Sequence, residues 1–208
     1  QGAVTSLTRQ LPRGGTQLER ILDALLARFG TGALAGLTAA QLGAIRPPAL
    51  SNRVEALVRS IAQGSDRFQT ARHEAVLKAL ALLGSREQEL LGIGEAWLSG
   101  LDVREEAKLV WDLPVQEHRP KDRLAGLAWA ARFRGPTVIA VDQLDAITSE
   151  ARAATGIDPG GPGHIFAQTT TGLMGLRDVL PRALVVVTCL DANWGYLEQT
   201  ALNSVTDR

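Results

Sequence analysis

Apolar residues recur at helical spacing through the first 118 residues of the chain. In segment 16–30, "TQLERILDALLARFG", they fall three and four positions apart, which indicates one buried helical face. Thr16 followed by Glu19 forms a capping-box pattern, and it predicts that this helix starts after Thr16. The same spacing predicts four further helices, in segments 51–64, 70–84, 85–100 and 101–114. Ser85 and Asp102 are the expected N-caps of the last two, because their side chains can accept from free backbone N–H groups.

The pattern changes from residue 119 onward. A helix is predicted in segment 119–135, with one apolar face formed by Leu124, Leu127, Ala128 and Ala131. Two short runs rich in β-branched residues follow, "TVIAV" at 137–141 and "ALVVV" at 183–187, with helix-like sequence between them. This order predicts a βαβ crossover with parallel strands buried on both faces. We therefore expect an α/β region over 119–208, preceded by a mostly helical region over 1–118.

The overall composition limits the classes of partner and compartment. The chain has 22 basic and 22 acidic residues, so net charge gives no reason to expect a polyanionic partner. Its single cysteine, Cys189, excludes an internal disulfide framework, which favours a reducing, cytoplasmic location. The longest apolar run is too short to span a bilayer, so no membrane partner is expected.

Polar side chains follow each of the two predicted strands. Asp142, Gln143 and Asp145 come after the first strand, and Thr188 comes directly after the second. Ligands of parallel α/β sheets bind beyond the carboxyl ends of the strands, and Mg²⁺ prefers oxygen ligands. A magnesium and nucleotide site at this edge is one interpretation. The other is a buried strand whose first loop residue happens to be acidic.

The two strand motifs together resemble a known family. "TVIAVDQLDAIT" looks like a Walker B strand, and "RALVVVTCLDANWGYLEQTALNSVTDR" is similar to the sensor 1 strand and following helix of AAA+ ATPases. The spacing of the two acids resembles the replication-initiator and signalling branches, and the ATP-binding proteins of bacterial phage-resistance (BREX/Pgl-type) systems. The resemblance implies a partial P-loop NTPase-like core that binds ATP and Mg²⁺. It also implies assembly into a homo-oligomer or larger complex, and nucleic-acid contact through other domains.

The resemblance assigns a role to each polar position. Asp142 would orient the magnesium ion, and Asp145 would contribute to the cofactor site. Gln143 stands where the family usually has a glutamate that polarises the attacking water, and an amide cannot accept a proton, which implies slow hydrolysis. Thr188 occupies the sensor 1 position. Arg208 falls near the position of an arginine that stabilises transition-state charge in a neighbouring subunit.

The phosphate-binding loop expected of such an ATPase is missing from the sequence. A P-loop requires G-x-x-x-x-G-K-[ST], and the residues before the three lysines, Lys78, Lys108 and Lys121, are Leu, Ala and Pro. One explanation is that the loop precedes Gln1 in a longer protein, so that this chain alone does not bind Mg-ATP tightly. The alternative is a degenerate, non-enzymatic α/β interaction or scaffold domain without nucleotide binding.

Overall fold

The computed structural model describes residues 2–114, 119–141, 171–172, 175 and 183–188. The chain divides into two compact units, Gln1–Gly135 and Pro136–Arg208. In the described part, the first unit holds eight α-helices and one 3₁₀ turn, and the second holds two strands. The helices are α1 Gly2–Thr8, α2 Gln17–Phe29, α3 Ala39–Gly43, α4 Ala49–Gly64, α5 Arg67–Leu83, α6 Gln88–Ser99, α7 Glu105–Val110 and α8 Pro120–Ala131, with the 3₁₀ turn at Gly32–Leu34. The strands are β1 Thr137–Val141 and β2 Ala183–Val187.

Helix α2 forms as its sequence predicts. The Thr16 hydroxyl accepts from the Glu19 backbone N–H at 3.1 Å, and the Glu19 carboxylate accepts from the Thr16 N–H at 2.7 Å. This capping box satisfies two N–H groups that would otherwise lack a partner at the helix start. The apolar stripe is buried as predicted, at Leu18, Ile21, Leu22, Leu25 and Phe29. Both parts of this prediction are confirmed.

Helix α5 lies at the centre of the helical unit. Every residue from Ala75 to Leu83 is buried, as expected for a helix surrounded by other helices. Two glycines allow its neighbours to approach closely. A Cβ atom on Gly94 of α6 would lie 2.5 Å from the Leu83 backbone nitrogen, and one on Gly126 of α8 would lie 2.5 Å from a Val76 methyl carbon.

The predicted N-caps of α6 and α7 are wrong. Helix α6 begins after Glu87, and the Ser85 hydroxyl accepts from the Glu87 N–H at 3.1 Å, ahead of the helix. Helix α7 begins after Arg104. The Asp102 carboxylate instead accepts from the Lys108 ammonium at 3.4 Å. Each side chain therefore finds a competing local partner.

The predicted apolar face of α8 is correct only in part. Leu124, Leu127, Ala128 and Ala131 are half-buried, and only Leu127 and Ala131 among them pack against the core. The buried residues are Ala125, Gly126, Trp129 and Ala130. The small Gly126 permits close contact with α5, and the Trp129 ring packs beside His73 with centroids 5.3 Å apart. Helix α8 thus belongs to the helical unit, and the division between units follows Gly135 rather than residue 118.

The two strands pair in parallel, as the sequence predicts. The register joins Thr137 to Ala183 and continues to Val141 and Val187. With helices and a parallel sheet, the chain falls in the α/β class in the broad sense, although helix predominates in its described part. The prediction that both faces of the strands are buried is wrong. Within the described residues nothing covers the face that carries Val138, Leu184 and Val186, which are 62%, 62% and 40% exposed.

Candidate functional site

The carboxyl ends of β1 and β2 lie side by side. Val141 and Val187 are register partners at the last position of each strand. The backbone N–H of Thr188 donates to the Val141 carbonyl oxygen at 2.9 Å, which extends the ladder one step beyond the strands. Thr188 is exposed. Thr188, the candidate residue that follows the second strand, therefore lies directly beside the end of the first strand.

The other selected residues, Asp142, Gln143, Asp145 and Arg208, lie outside the described residues. Asp142 follows Val141 directly in the sequence, and Val141 is the residue whose carbonyl oxygen accepts from Thr188. The carboxylates of Asp142 and Asp145 are hard oxygen donors, the type that Mg²⁺ prefers. Their chemistry is compatible with a magnesium site. Among the described residues alone, no group of three His, Cys, Asp or Glu side chains could hold a metal ion.

A second polar cluster, missed by the sequence analysis, lies in the helical unit. The Lys78 side chain is 4% exposed, and its ammonium donates to the Glu74 and Asp112 carboxylates at 2.8 Å each. Burial opposes the charged form and alone would lower the lysine pKa. The hydrogen bonds that Lys78 donates to Asp112 and Glu74 outweigh this effect, so the pKa of Lys78 is raised from its ordinary value of 10.5.

We interpret this cluster of Lys78, Glu74 and Asp112, the lysine tie, as a contact that stabilises the packing of two segments of the helical unit. Lys78 joins the centre of α5 to Asp112, which lies two residues after the end of α7 and has a positive φ of 47°. Its pKa is shifted upward, away from neutrality, which does not prepare an amine to act as a base or nucleophile. The Glu74 and Lys78 pair, four residues apart on a helix, is readable in the sequence, whereas the contact with Asp112 across 34 residues is not.

Comparison of the chain with known protein families, with curated proteins and with solved structures found no match in any of the three. Of the helices in the described part of the chain, none has the length and apolar character needed to cross a membrane.

Proposed function

We propose that this chain contributes the magnesium-binding side of an AAA+-like P-loop ATPase, a nucleotide-dependent switch with slow hydrolysis of ATP to ADP and phosphate. The observation that supports the proposal is the in-register parallel pairing of β1 and β2, with Thr188 hydrogen-bonded to the last residue of β1. That pairing brings the carboxyl ends of the two strands to one sheet edge, the edge at which α/β proteins bind ligands.

Each residue has a separate task in the proposed site. Asp142 holds and orients the cation, and Asp145 adds a second oxygen donor. A bound Mg²⁺ would supply neutralisation of phosphate charge. Gln143 positions the attacking water through its amide but cannot take its proton, which keeps turnover slow. Thr188 donates its hydroxyl hydrogen to the water or the terminal phosphate, and Arg208 serves a neighbouring subunit.

The phosphate-binding half of the proposed site comes from outside the 208 residues. None of the three lysines lies in a P-loop motif. Lys78 is buried between Glu74 and Asp112, so it cannot reach a nucleotide phosphate. Calorimetry on the 208-residue chain should therefore detect no tight binding of ATP that depends on Mg²⁺. Micromolar affinity that requires both Mg²⁺ and Asp142 would contradict this division of the site.

The deciding experiment starts with the coding sequence upstream of the Gln1 codon. A P-loop motif within roughly one βα unit, about 30 to 60 residues, supports the proposal. In the protein that contains it, Asp142→Asn should abolish most magnesium-dependent turnover, while Gln143→Glu should raise the rate of hydrolysis by restoring a general base. Unchanged turnover in Asp142→Asn would remove the assigned role of Asp142. A start codon close by without such a loop would refute the ATPase proposal.

A second candidate function is a non-enzymatic interaction domain that associates with another copy of itself. The exposed apolar face of the strands, carrying Val138, Leu184 and Val186, favours it, since parallel sheets are normally covered on both faces. Sedimentation should then show a concentration-dependent dimer that Leu184→Ser disrupts and that ATP does not affect. Phe68→Ser is the control, because Phe68 is 88% exposed in the helical unit. A monomer at all concentrations would exclude this candidate.

A further inference from the structure

Two arginine-containing segments that lie more than 100 residues apart in the sequence meet in the helical unit. One lies on α2, and the other directly follows α8. Between them is an open cleft of about 630 Å³. The residues that line this cationic cleft are Arg20, Asp23, Ala24, Ala27, Arg28, Phe133 and Arg134.

The shape of the cleft follows from helical spacing on α2. Arg20, Ala24 and Arg28 are four residues apart, so they share one helix face, with a small side chain between two long cationic ones. The alanine side chain leaves the floor of the cleft open. Phe133 forms the opposite wall, and its ring is fixed by an edge-on contact with Phe29, with centroids 5.1 Å apart.

The described residues that line the cleft carry a net positive charge. They include three guanidinium groups and one carboxylate, and the Asp23 carboxylate already accepts from the Ala39 backbone N–H at 2.6 Å. Arg20 donates to the Gly14 carbonyl oxygen at 3.3 Å, a neutral acceptor that does not cancel its positive charge. Arg28 and Arg134 form no ion pair with any carboxylate that the structure describes.

The Phe133 ring is in contact with two arginine side chains. The guanidinium carbons of Arg28 and Arg132 lie 5.6 Å and 4.9 Å from its centroid, within the range of cation–π contacts. Such contacts restrict the Arg28 side chain before any ligand arrives, which lowers the entropic cost of binding. They also occupy the ring, so stacking of a nucleic-acid base on it is disfavoured.

We propose that the cationic cleft binds a small anion bearing two or more phosphate groups. Guanidinium groups match phosphate oxygens with paired N–H donors, and the volume lies in the range of small-molecule sites. The ligand contacts are Arg28 and Arg134, with Arg20 adding charge from the other end of the face. The described residues that line the cleft all belong to the helical unit, whereas the residues of the proposed ATP site follow the strands.

Calorimetric titration of the 208-residue chain with tripolyphosphate, without divalent cations and at constant ionic strength, tests the proposal. Arg28→Gln combined with Arg134→Gln should weaken binding by about a hundredfold or more, because it removes both groups that form charge-assisted hydrogen bonds with the phosphates. The corresponding double lysine variant should retain intermediate affinity, since it keeps the charge but loses the paired donors. Arg59→Gln combined with Arg67→Gln is the matched control, as both side chains are exposed and neither lines the cleft.

Four outcomes would overturn the proposal. The first is no binding of tripolyphosphate to the wild-type chain, and the second is equal binding to the double glutamine variant while its circular dichroism spectrum is unchanged. The third is loss of binding in Asp142→Asn, which would locate the anion at the strand ends instead. The fourth is binding of a single-stranded 12-nucleotide DNA without binding of tripolyphosphate, which would identify an extended nucleic-acid surface. If Arg28→Gln prevents folding, Arg134→Gln alone provides the same test.

Discussion

The helical unit and the strand pair differ in how far their apolar residues are covered. In the helical unit, the centre of α5 is enclosed by its neighbours, and Leu80 and Leu82 are 0% exposed. In the strand pair, Val138 and Leu184 face each other across the register and are each 62% exposed. The comparison indicates that the helices carry their own core, whereas one face of the strands still has apolar surface available for another partner.

The largest expected effect is the truncation of a core leucine in the helical unit, compared with the same truncation on the exposed strand face. Leu80→Ala should lower the free energy of unfolding by about 2–5 kcal/mol, because it leaves a cavity in a close-packed core. Leu184→Ala should change it by less than about 0.5 kcal/mol, as is usual at exposed positions. Urea denaturation followed by circular dichroism measures both. If Leu184→Ala destabilises the chain as much as Leu80→Ala does, the strand face is covered in solution and the contrast fails.

The close contact between α5 and α6 gives the next largest effect. Gly94→Ala should destabilise the helical unit by about 1–3 kcal/mol, because its Cβ would meet backbone atoms of Leu83 and Ala79 at 2.5 and 2.7 Å. Gly92→Ala on the same helix is the control, since no atom lies within 4 Å of its Cβ position. It should stabilise by about 0.5–1 kcal/mol through helix propensity. Equal effects of the two substitutions in thermal melts would show that α6 is not packed tightly on α5.

Local patterns were sufficient to predict α2 and the parallel strand pair. The capping box at Thr16 and Glu19 involves residues three positions apart, and the buried stripe of α2 repeats within one helix. The two β-branched runs separated by helix-like sequence also predict parallel pairing without further information. At the candidate site, Thr188 lies beside the end of β1, as expected for parallel strands whose carboxyl ends share one edge.

Features that depend on contacts between distant segments could not be predicted. The buried face of α8 is set by the fit of Gly126 against Val76, and apolar spacing alone favoured the adjacent face. The cationic cleft requires Arg28 and Arg134, which are more than 100 residues apart in the sequence, to line the same part of the surface. Helix caps failed for a related reason, because a suitable side chain can bind a competing local partner, as Ser85 does.

The smallest expected effect is a pH dependence of the free energy of unfolding, and it comes from the lysine tie. The pKa of Lys78 is raised above 10.5 in the folded chain, so its charged form stabilises the fold. This contribution is fully present below pH 10.5 and is lost as the pH rises through the folded pKa. The wild-type advantage over Lys78→Met should therefore shrink above pH 10.5.

Because the Asp112 side chain is 85% exposed, solvent screens this pair and the effect should be of the order of 1 kcal/mol. Asp112→Asn tests the same tie without disturbing the backbone, since asparagine tolerates the positive φ at this position. It should reduce the pH dependence but not abolish it, because Glu74 still accepts from Lys78 at 2.8 Å. Denaturation midpoints of the wild type and both variants, measured between pH 8 and pH 11.5, would give the pH dependence of each protein's stability. A difference between wild type and Lys78→Met that grows with pH would mean that burial outweighs the two hydrogen bonds, and that the tie weakens the helical core it crosses.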